Sequence, residues 1–210
     1  MIGRNISQLV RAPRSAAHLL TDRVLVRVWL RAIGVAYGSG CRFDGFPVIR
    51  LARKSELLIG NRVLINNRVY GNAATMTHRT SLTTLREHAS IRIHDDVGLS
   101  GNSIAACESI EIGARTMIGS GSVLWDTDFH PLDPEMRRQH PTHGARSRAI
   151  RIEEDVFVGA RSMILKGVTI GQGSIVGAGS VVTSSIPAGV IAAGNPAKVI
   201  RQNGSSKSPA

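Results

Sequence analysis

Residues 152–182 decide the fold, and they read IEEDVFVGARSMILKGVTIGQGSIVGAGSVV. An aliphatic residue recurs in this stretch at every sixth position, and glycine follows several of these residues. The aliphatic positions are Ile152, Val158, Ile164, Ile170, Val176 and Val182. The same interval runs from Ile112 through Ile118 and Leu124 to His130. A histidine therefore stands where the repeat calls for an aliphatic side chain.

Each six-residue unit predicts one short strand and one corner. A single unit cannot bury its apolar side, whereas stacked units form a continuous core. A β-sandwich would show two-residue alternation over longer runs and no fixed period. The repeat thus predicts an all-β solenoid, and earlier strands are marked by aliphatic pairs two positions apart. These pairs are Ile49/Leu51, Leu57/Ile59, Val63/Ile65, Ile91/Ile93, Val97/Leu99, Ile104/Ala106 and Ile110/Ile112.

Two interruptions break the repeat. Leu99 and Ala106 are read as equivalent positions seven residues apart, which predicts one inserted residue near Gly101-Asn102. Residues 126–149 show no repeat and are rich in Pro, Arg and His, so we predict an extended loop there. Regular units resume at Ile150 and end near Ser185.

The remaining segments flank the solenoid. Residues 15–33 read as a helix, with Ser15 at its start and Gly34 at its end. The predicted division is a helical segment at 1–40, a β-helix domain at 41–202 with the loop 126–149, and a disordered tail at 203–210. Leucine and valine side chains of the helix are expected to pack on the domain; they are Leu19, Leu20, Val24, Val28 and Leu30.

The charge of the chain limits its partners. A formal charge of +11 on 210 residues, with a pI near 11.1, attracts polyanions, acidic membranes or phosphorylated small molecules. No nucleic-acid-binding motif accompanies this charge, so nucleic acid is not the expected partner. The basic helix, with Arg23, Arg27 and Arg31 on one stripe, leaves peripheral contact with a membrane open.

The cysteines and the first residues indicate the compartment. Cys41 and Cys107 are too few and too unpatterned for a disulfide framework, and we expect both to be reduced. The first residues lack the apolar core and cleavage site of a signal peptide. The predicted location is the cytoplasm.

The sequence resembles the hexapeptide-repeat acyltransferases. Their repeat is matched by Val158-Gly159-Ala160-Arg161-Ser162 and by Val176-Gly177-Ala178-Gly179-Ser180. The segment Asp126-Thr127-Asp128-Phe129-His130-Pro131-Leu132-Asp133-Pro134 is similar to the catalytic region of the sugar O-acetyltransferases of that family, as is the ending 193–201. These include the maltose, galactoside, nodulation-factor and exopolysaccharide acetyltransferases. The resemblance implies a left-handed parallel β-helix, a homotrimer and acetyl-CoA as co-substrate.

The resemblance also implies roles for residues near the loop. His130 would be the general base, because a sugar hydroxyl is a poor nucleophile at neutral pH without one. Asp128 would orient the imidazole, with a turn-forming role as the alternative. Asn102 would stabilise the oxyanion or bind substrate, or else simply fill a corner. Trp125 would stack on a sugar ring or close the core.

The donor site implied by the resemblance uses residues of the regular coils and of the C-terminal segment. Two small corner residues, Ala160 and Ala178, would accommodate the pantetheine arm. Thr183, Ser184, Lys198 and Arg201 would meet the pantetheine end and the phosphates. The family often has lysine at the position of Ser184.

The predicted function is acetyl-CoA-dependent O-acetylation of a sugar or a glycan precursor of a surface polysaccharide, by direct transfer in a ternary complex. No cysteine is expected beside the motif, which argues against a covalent acyl-enzyme. The alternatives are an acyltransferase acting on serine, an amino sugar or an antibiotic, and a non-catalytic or zinc-binding β-helix. No metal is expected, because Pro131 spoils a calcium loop and no third zinc ligand joins His88 and His94.

Overall fold

The computed structural model describes residues 24–68 and 76–204. Within them the chain forms a left-handed parallel β-helix, with one helix before it and one inside the long loop. The helices are α1 (Val26–Ala32) and α2 (Pro134–Gln139). The strands are β1 (Ala36–Tyr37), β2 (Arg42–Asp44), β3 (Val48–Arg50), β4 (Glu56–Ile59), β5 (Leu64–Asn66), β6 (Ser81–Thr84), β7 (Ser90–Ile93), β8 (Gly98–Ser100), β9 (Ser103–Ala106), β10 (Ser109–Ile112), β11 (Met117–Ile118), β12 (Val123–Trp125), β13 (Ile150–Ile152), β14 (Phe157–Val158), β15 (Met163–Leu165), β16 (Thr169–Ile170), β17 (Ile175–Val176), β18 (Val181–Val182), β19 (Val190–Gly194) and β20 (Ala197–Gln202).

Three sheets form the walls of the solenoid. Sheet A has the order β1-β4-β7-β10-β13-β16, and sheet C has the order β3-β6-β9-β12-β15-β18. Sheet B has the order β2-β5-β8-β11-β14-β17-β19-β20. Each coil therefore gives one strand to each sheet, and the strand pairs are parallel up to the C-terminal end, where β20 runs antiparallel to β19.

The six-residue interval places its aliphatic side chains inside the solenoid. Ile112, Ile118 and Leu124 lie in successive sheets and are at most 3% exposed. The same kinds of side chain also stack from coil to coil, since Ile152 pairs with Ile170 in sheet A. The core consists of thin aliphatic layers, and the predicted solenoid is confirmed.

Small residues form the corners between sheets B and C because the coils stack closely there. A Cβ atom on Gly159 would lie 2.4 Å from the backbone nitrogen of Ala178. The buried hydroxyl of Ser122 donates to the carbonyl of Gly159 (3.0 Å), and that of Ser162 donates to the carbonyl of Gly177 (3.1 Å). A column of buried side chains thus joins successive coils and satisfies backbone carbonyls.

The predicted insertion near Asn102 is wrong. Leu99 pairs with Ile118, and Ile104 pairs with Leu124, so the equivalent inward residues are five positions apart instead of six. The corner is therefore one residue shorter than in the regular repeat. The seven-residue interval arose from taking Ala106, which is also buried, as the equivalent of Leu124.

Helix α1 closes the N-terminal end of the solenoid. Val26 and Leu30 are fully buried in the core, and the rings of Trp29 and Phe46 meet edge to face at 5.5 Å. Gly34 follows the helix with φ +76°, and its N–H donates to the carbonyl of Arg31. The predicted helix end is confirmed.

Two predicted packing residues of this helix face outward instead. Val24 is 45% exposed and Val28 is 58% exposed, so the prediction that they pack on the domain is wrong. The helix buries its Val26–Leu30 side because that side faces the first coil. The predicted start at Ser15, together with Leu19 and Leu20, lies outside the described residues.

Strands continue at the C-terminal end beyond the point where the sequence repeat stops. Beyond Ser185 the chain adds β19 to sheet B, and β20 folds back along it. Asn203, the first residue of the predicted disordered tail, hydrogen bonds to Gly189 and Gly173 (2.7 and 2.9 Å). Residues 205–210 lie outside the described part. Among the described residues no helix has the length and apolarity needed to cross a bilayer.

Candidate active site

The long loop leaves the solenoid after β12 through a narrow neck. Thr127 and Ser147 pair as an antiparallel bridge, and the N–H of Arg148 donates to the carbonyl of Asp126 (2.8 Å). The fully buried carboxylate of Asp126 accepts the N–H groups of Cys107 (2.6 Å) and Glu108 (2.7 Å). Burial raises the pKa of this carboxyl in spite of those hydrogen bonds. Asp126 thus fixes both ends of the loop to the preceding coil.

A strained turn directs the chain at the end of the neck. Phe129 has φ +60°, a left-handed conformation that a bulky residue rarely adopts. The N–H of His130 donates to the carbonyl of Asp128 (2.7 Å), which closes a γ-turn. The Phe129 ring lies edge-on to Trp125 with centroids 5.4 Å apart. This packing holds the turn and sets the direction of His130.

His130 is exposed, and one of its ring nitrogens is occupied. Its Nδ1 lies 2.6 Å from the carbonyl oxygen of Pro141. A carbonyl oxygen can only accept, so Nδ1 carries the proton in this hydrogen bond. In the neutral ring Nε2 then keeps its lone pair. The two sides of the loop therefore hold the imidazole in the tautomer that a general base requires.

The carboxylate of Asp128 pairs with a lysine and not with His130. Its Oδ1 forms an ion pair with Nζ of Lys166 (2.5 Å), at the end of the next strand of sheet C. Its Oδ2 is buried and has no hydrogen-bond partner in the described part of the chain. The expectation that Asp128 orients the imidazole is wrong for this conformation, because the imidazole proton is held by Pro141. Asp128 instead ties the loop to the next coil.

A cavity of about 310 Å³ opens beside the turn. It lies between the loop and the edge of the solenoid and is lined by Leu85, Arg86, Cys107, Thr127, Phe129, Thr142 and Ala145. Cys107 is a half-buried free thiol in this wall. The expectation that no cysteine lies beside the motif is wrong, because the neighbouring coil brings Cys107 next to it.

Asn102 belongs to the buried column that joins the coils. It is 0% exposed and sits level with Ser122. Its Oδ1 accepts the N–H of Ser100 (2.6 Å), and its Nδ2 donates to the carbonyl of Gly119 (2.8 Å). The amide group is therefore committed to the corner. The expectation that Asn102 binds substrate or the oxyanion is wrong for this geometry, and the corner-filling alternative fits.

Trp125 is half-buried at the end of β12. Its Nε1 donates to the hydroxyl of Ser103 (3.2 Å), and its ring supports Phe129. These contacts fit the alternative that Trp125 closes the core, and its stacking on a sugar ring stays a prediction. Trp125 acts on the site through the turn that carries His130.

The predicted donor residues lie along the edges of sheet C in the last coils. Ala160 and Ala178 occupy successive corners between sheets B and C, and the N–H of Gly179 donates to the carbonyl of Ala160 (2.9 Å). Thr183 and Ser184 are exposed at the other end of β18. One two-residue strand separates these two edges.

Lys198 and Arg201 lie on β20, at the outer edge of sheet B. Lys198 pairs with Ala193 and Arg201 with Ile191. Both cations are exposed, and no ion pair involves either within the described residues. Arg161, which the sequence analysis did not single out, is likewise exposed beside Ala160 with φ +58°. The sequence signal that could have identified Arg161 is an arginine at a corner position where other coils have glycine.

A second cavity of about 390 Å³ lies on sheet A, away from the loop. His94 Nε2 lies 2.8 Å from a carboxylate oxygen of Glu111 there. Within residues 24–68 and 76–204, no cluster of three or more histidine, cysteine or acidic side chains could hold a metal ion.

Comparison with known proteins confirms the resemblance to the hexapeptide-repeat acyltransferases. The family described as "hexapeptide repeat of succinyl-transferase" matches residues 149–184. The galactoside O-acetyltransferase of Lactococcus lactis is 35% identical over 113 residues, which are 52% of this chain and 53% of that protein. A 2,3,4,5-tetrahydropyridine-2,6-dicarboxylate N-acetyltransferase of Clostridium perfringens is 60% identical over 50 residues, 24% of this chain and 21% of that protein. The chain thus spans about half or less of the length of these relatives.

Solved structures share the fold. The N-acyltransferase AntD of Bacillus cereus, in complex with dTDP-4-amino-4,6-dideoxyglucose and coenzyme A, has a TM-score of 0.64 at 20% identity, covering 84% of this chain and 88% of that one. A hexapeptide-repeat-containing acetyltransferase from Vibrio cholerae has a TM-score of 0.55 at 20% identity, covering 93% and 92%.

Proposed function

We propose that this chain, which shares the repeat and the fold of the hexapeptide-repeat acyltransferases, moves an acetyl group from acetyl-CoA to a hydroxyl of a sugar or glycan precursor. The observation that carries the proposal is the hydrogen bond from His130 Nδ1 to Pro141, which leaves Nε2 free to take a proton. The Lactococcus lactis relative, named a galactoside O-acetyltransferase, supports a sugar as acceptor.

The proposed reaction needs one base and no covalent intermediate. His130 Nε2 takes the proton of the acceptor hydroxyl while the oxygen attacks the thioester carbonyl. The carbon–sulfur bond then breaks, and the imidazolium returns the proton to the leaving thiolate. The products are an ester and the free thiol of coenzyme A. The strained turn at Phe129 sets the direction of the imidazole, and Phe129 itself lines the loop cavity in which the acceptor would bind.

The donor site is proposed along the edge that carries Ala160 and Ala178. Small corner residues leave room for an extended pantetheine arm against the backbone, as in the resembled family. Arg161, Lys198 and Arg201 are exposed cations without an ion pair in the described residues, and they fit a ligand with several phosphates. Thr183 and Ser184 would contact the arm at the far end of β18.

A homotrimer is the proposed assembly. The outer face of sheet B carries a row of aligned side chains that includes Leu64, Met117, Phe157 and Ile175. Met117 is 60% exposed and Phe157 is 46% exposed. A row of large apolar side chains on a solenoid wall favours burial against another subunit. The proposed compartment is the cytoplasm, where Cys41 and Cys107 would stay reduced.

Thiol release with acetyl-CoA and a panel of acceptors tests the proposed function. We expect coenzyme A release to depend on a hydroxyl-bearing sugar such as a galactoside, and mass spectrometry to find the acetyl group on oxygen. Amino sugars and serine complete the panel. Transfer to nitrogen alone would replace the proposed reaction with the N-acyltransferase alternative, and the absence of release with every acceptor would overturn both.

A further inference from the structure

The net charge of the described residues is concentrated at one end of the solenoid. We call residues 24–68, which comprise α1 and the coils of β1–β5, the basic end. These residues contain eight Arg or Lys against two Asp or Glu, a net charge of +6. Residues 76–204, which form the remaining coils, contain thirteen against twelve, a net charge of +1. Among the described residues, the excess charge therefore belongs to a single end.

Part of this charge is available to an external anion. Arg31, Arg50 and Arg53 are exposed, and no ion pair involves any of them within the described part of the chain. The Arg31 guanidinium lies 5.6 Å from the centre of the Tyr37 ring, which leaves its charge uncompensated. The catalytic candidate His130 and the proposed donor residues all lie in later coils, so the proposed reaction does not use these arginines.

Exposed apolar side chains lie at the same end. Val24, Leu25, Val28 and Ile33 are 45%, 49%, 58% and 39% exposed. They project from α1 and its ends while Val26 and Leu30 of the same helix are fully buried. The helix is held firmly, because the Arg27 guanidinium donates to the carbonyl of Cys41 (2.6 Å). The apolar side chains are therefore presented outward on a fixed support.

We propose that the basic end docks on an anionic lipid bilayer, with the exposed side of α1 in the headgroup region. Apolar side chains and unpaired arginines at the same end of the solenoid match a surface that offers both hydrocarbon and negative charge. A nucleic acid would satisfy the arginines but would leave Val24, Leu25 and Val28 without a partner. Docking through the end of the solenoid leaves the loop and the later coils accessible.

Sedimentation of the full chain with lipid vesicles tests this proposal. We expect binding to vesicles containing about one third phosphatidylglycerol and little binding to phosphatidylcholine alone, with weakening at high salt. V28S and the double variant R50S/R53S should each weaken binding at least about tenfold.

The matched control variants remove the same kinds of side chain from other parts of the molecule. Ile200 is 64% exposed at the opposite end of the solenoid, and Arg146 and Arg151 are exposed on later coils. I200S and R146S/R151S should keep binding within about twofold of the wild type. Equal loss in the control and test variants, or no binding to anionic vesicles, would overturn the proposal. A third outcome would also overturn the proposal. It is tight binding to duplex DNA that V28S leaves unchanged, combined with weak binding to vesicles.

Discussion

Phe129 adopts a left-handed backbone immediately before His130, and its neighbours explain why the fold tolerates this. The N–H of Phe129 donates to the hydroxyl of Thr127 (3.2 Å), and its ring rests against Trp125. The strain is therefore offset by contacts on both sides of the turn. Its consequence is that the imidazole leaves the neck toward the carbonyl of Pro141.

Substitution of Phe129 should reverse the usual order of stability, in which an alanine variant is more stable than a glycine variant. In most positions glycine is less stable than alanine because it loses more backbone entropy on folding. At φ +60° alanine keeps the left-handed strain while glycine does not. We expect F129G to melt about 2 °C above F129A in thermal unfolding followed by circular dichroism. A higher melting temperature for F129A would show that the turn is not strained.

At this scale the sequence predicted His130 because the residue lies in a recognisable motif. Its hydrogen-bond partner could not be predicted, since Pro141 comes from the far side of the loop. The role expected for Asn102 failed for a physical reason. The register between coils decides which polar side chain joins the buried column at the corners. That register could not be read from the sequence, because the corner at Asn102 is one residue shorter than the repeat.

The corner between sheets A and B carries an ion ladder. Arg62, Asp96, Arg115 and Asp155 all have positive φ, between 54° and 61°, and oppositely charged residues face each other from coil to coil. The hydrogen bonds from Arg62 and Arg115 hold the pKa values of Asp96 and Asp155 below their usual range. A carboxyl whose pKa is lowered on folding stabilises the fold above its unfolded pKa. That stability is lost as the pH falls through the folded pKa.

The pH dependence of an arginine variant tests the ladder. R115M should lower the melting temperature by about 2 °C at neutral pH. The difference should shrink as the pH falls through the lowered pKa of the Asp155 carboxyl, because protonation removes the same contribution from the wild type. R151M is the matched control, because Arg151 is exposed and forms no ion pair in the described residues. A difference that is independent of pH would contradict the ladder.

Elements of the regular repeat were predictable because one period fixes both the strand and the corner. The strands that contain the inward residues of 112–124 and 152–182 lie where the six-residue interval puts them. The face of α1 was not predictable, since apolar residues lie on both sides of this helix and only contact with the first coil selects Val26 and Leu30. Helix α2 in the loop was also missed. Its N-cap is Asp133, whose carboxylate accepts the N–H of Glu135 (2.7 Å).

The outer faces of the sheets of the solenoid differ in polarity. Sheet A shows Arg92, Glu111 and Arg151 in one aligned outer row, whereas the matching row of sheet B contains Met117 and Phe157. Water solvates the first row well and the second poorly. This difference supports the proposed trimer with sheet B turned toward a neighbouring subunit.

A charge on sheet B should break that assembly. F157D would place a carboxylate in the apolar row, and we expect sedimentation velocity to show a single-chain species where the wild type has three times the chain mass. T169D, on the outer row of sheet A, is the control and should leave the assembly unchanged. A monomeric wild type, or a trimeric F157D, would contradict the proposed interface.

The most direct test of the account is the rate of acetyl transfer by H130A compared with H94A. Both histidines are exposed and each has an oxygen partner, but His94 pairs with Glu111 on sheet A, away from the loop. With acetyl-CoA and the best acceptor of the panel, we expect H130A to lower kcat/KM at least about a hundredfold. H94A should stay within about twofold of the wild type. An H130A protein that is folded and fully active would contradict the central claim that His130 is the general base.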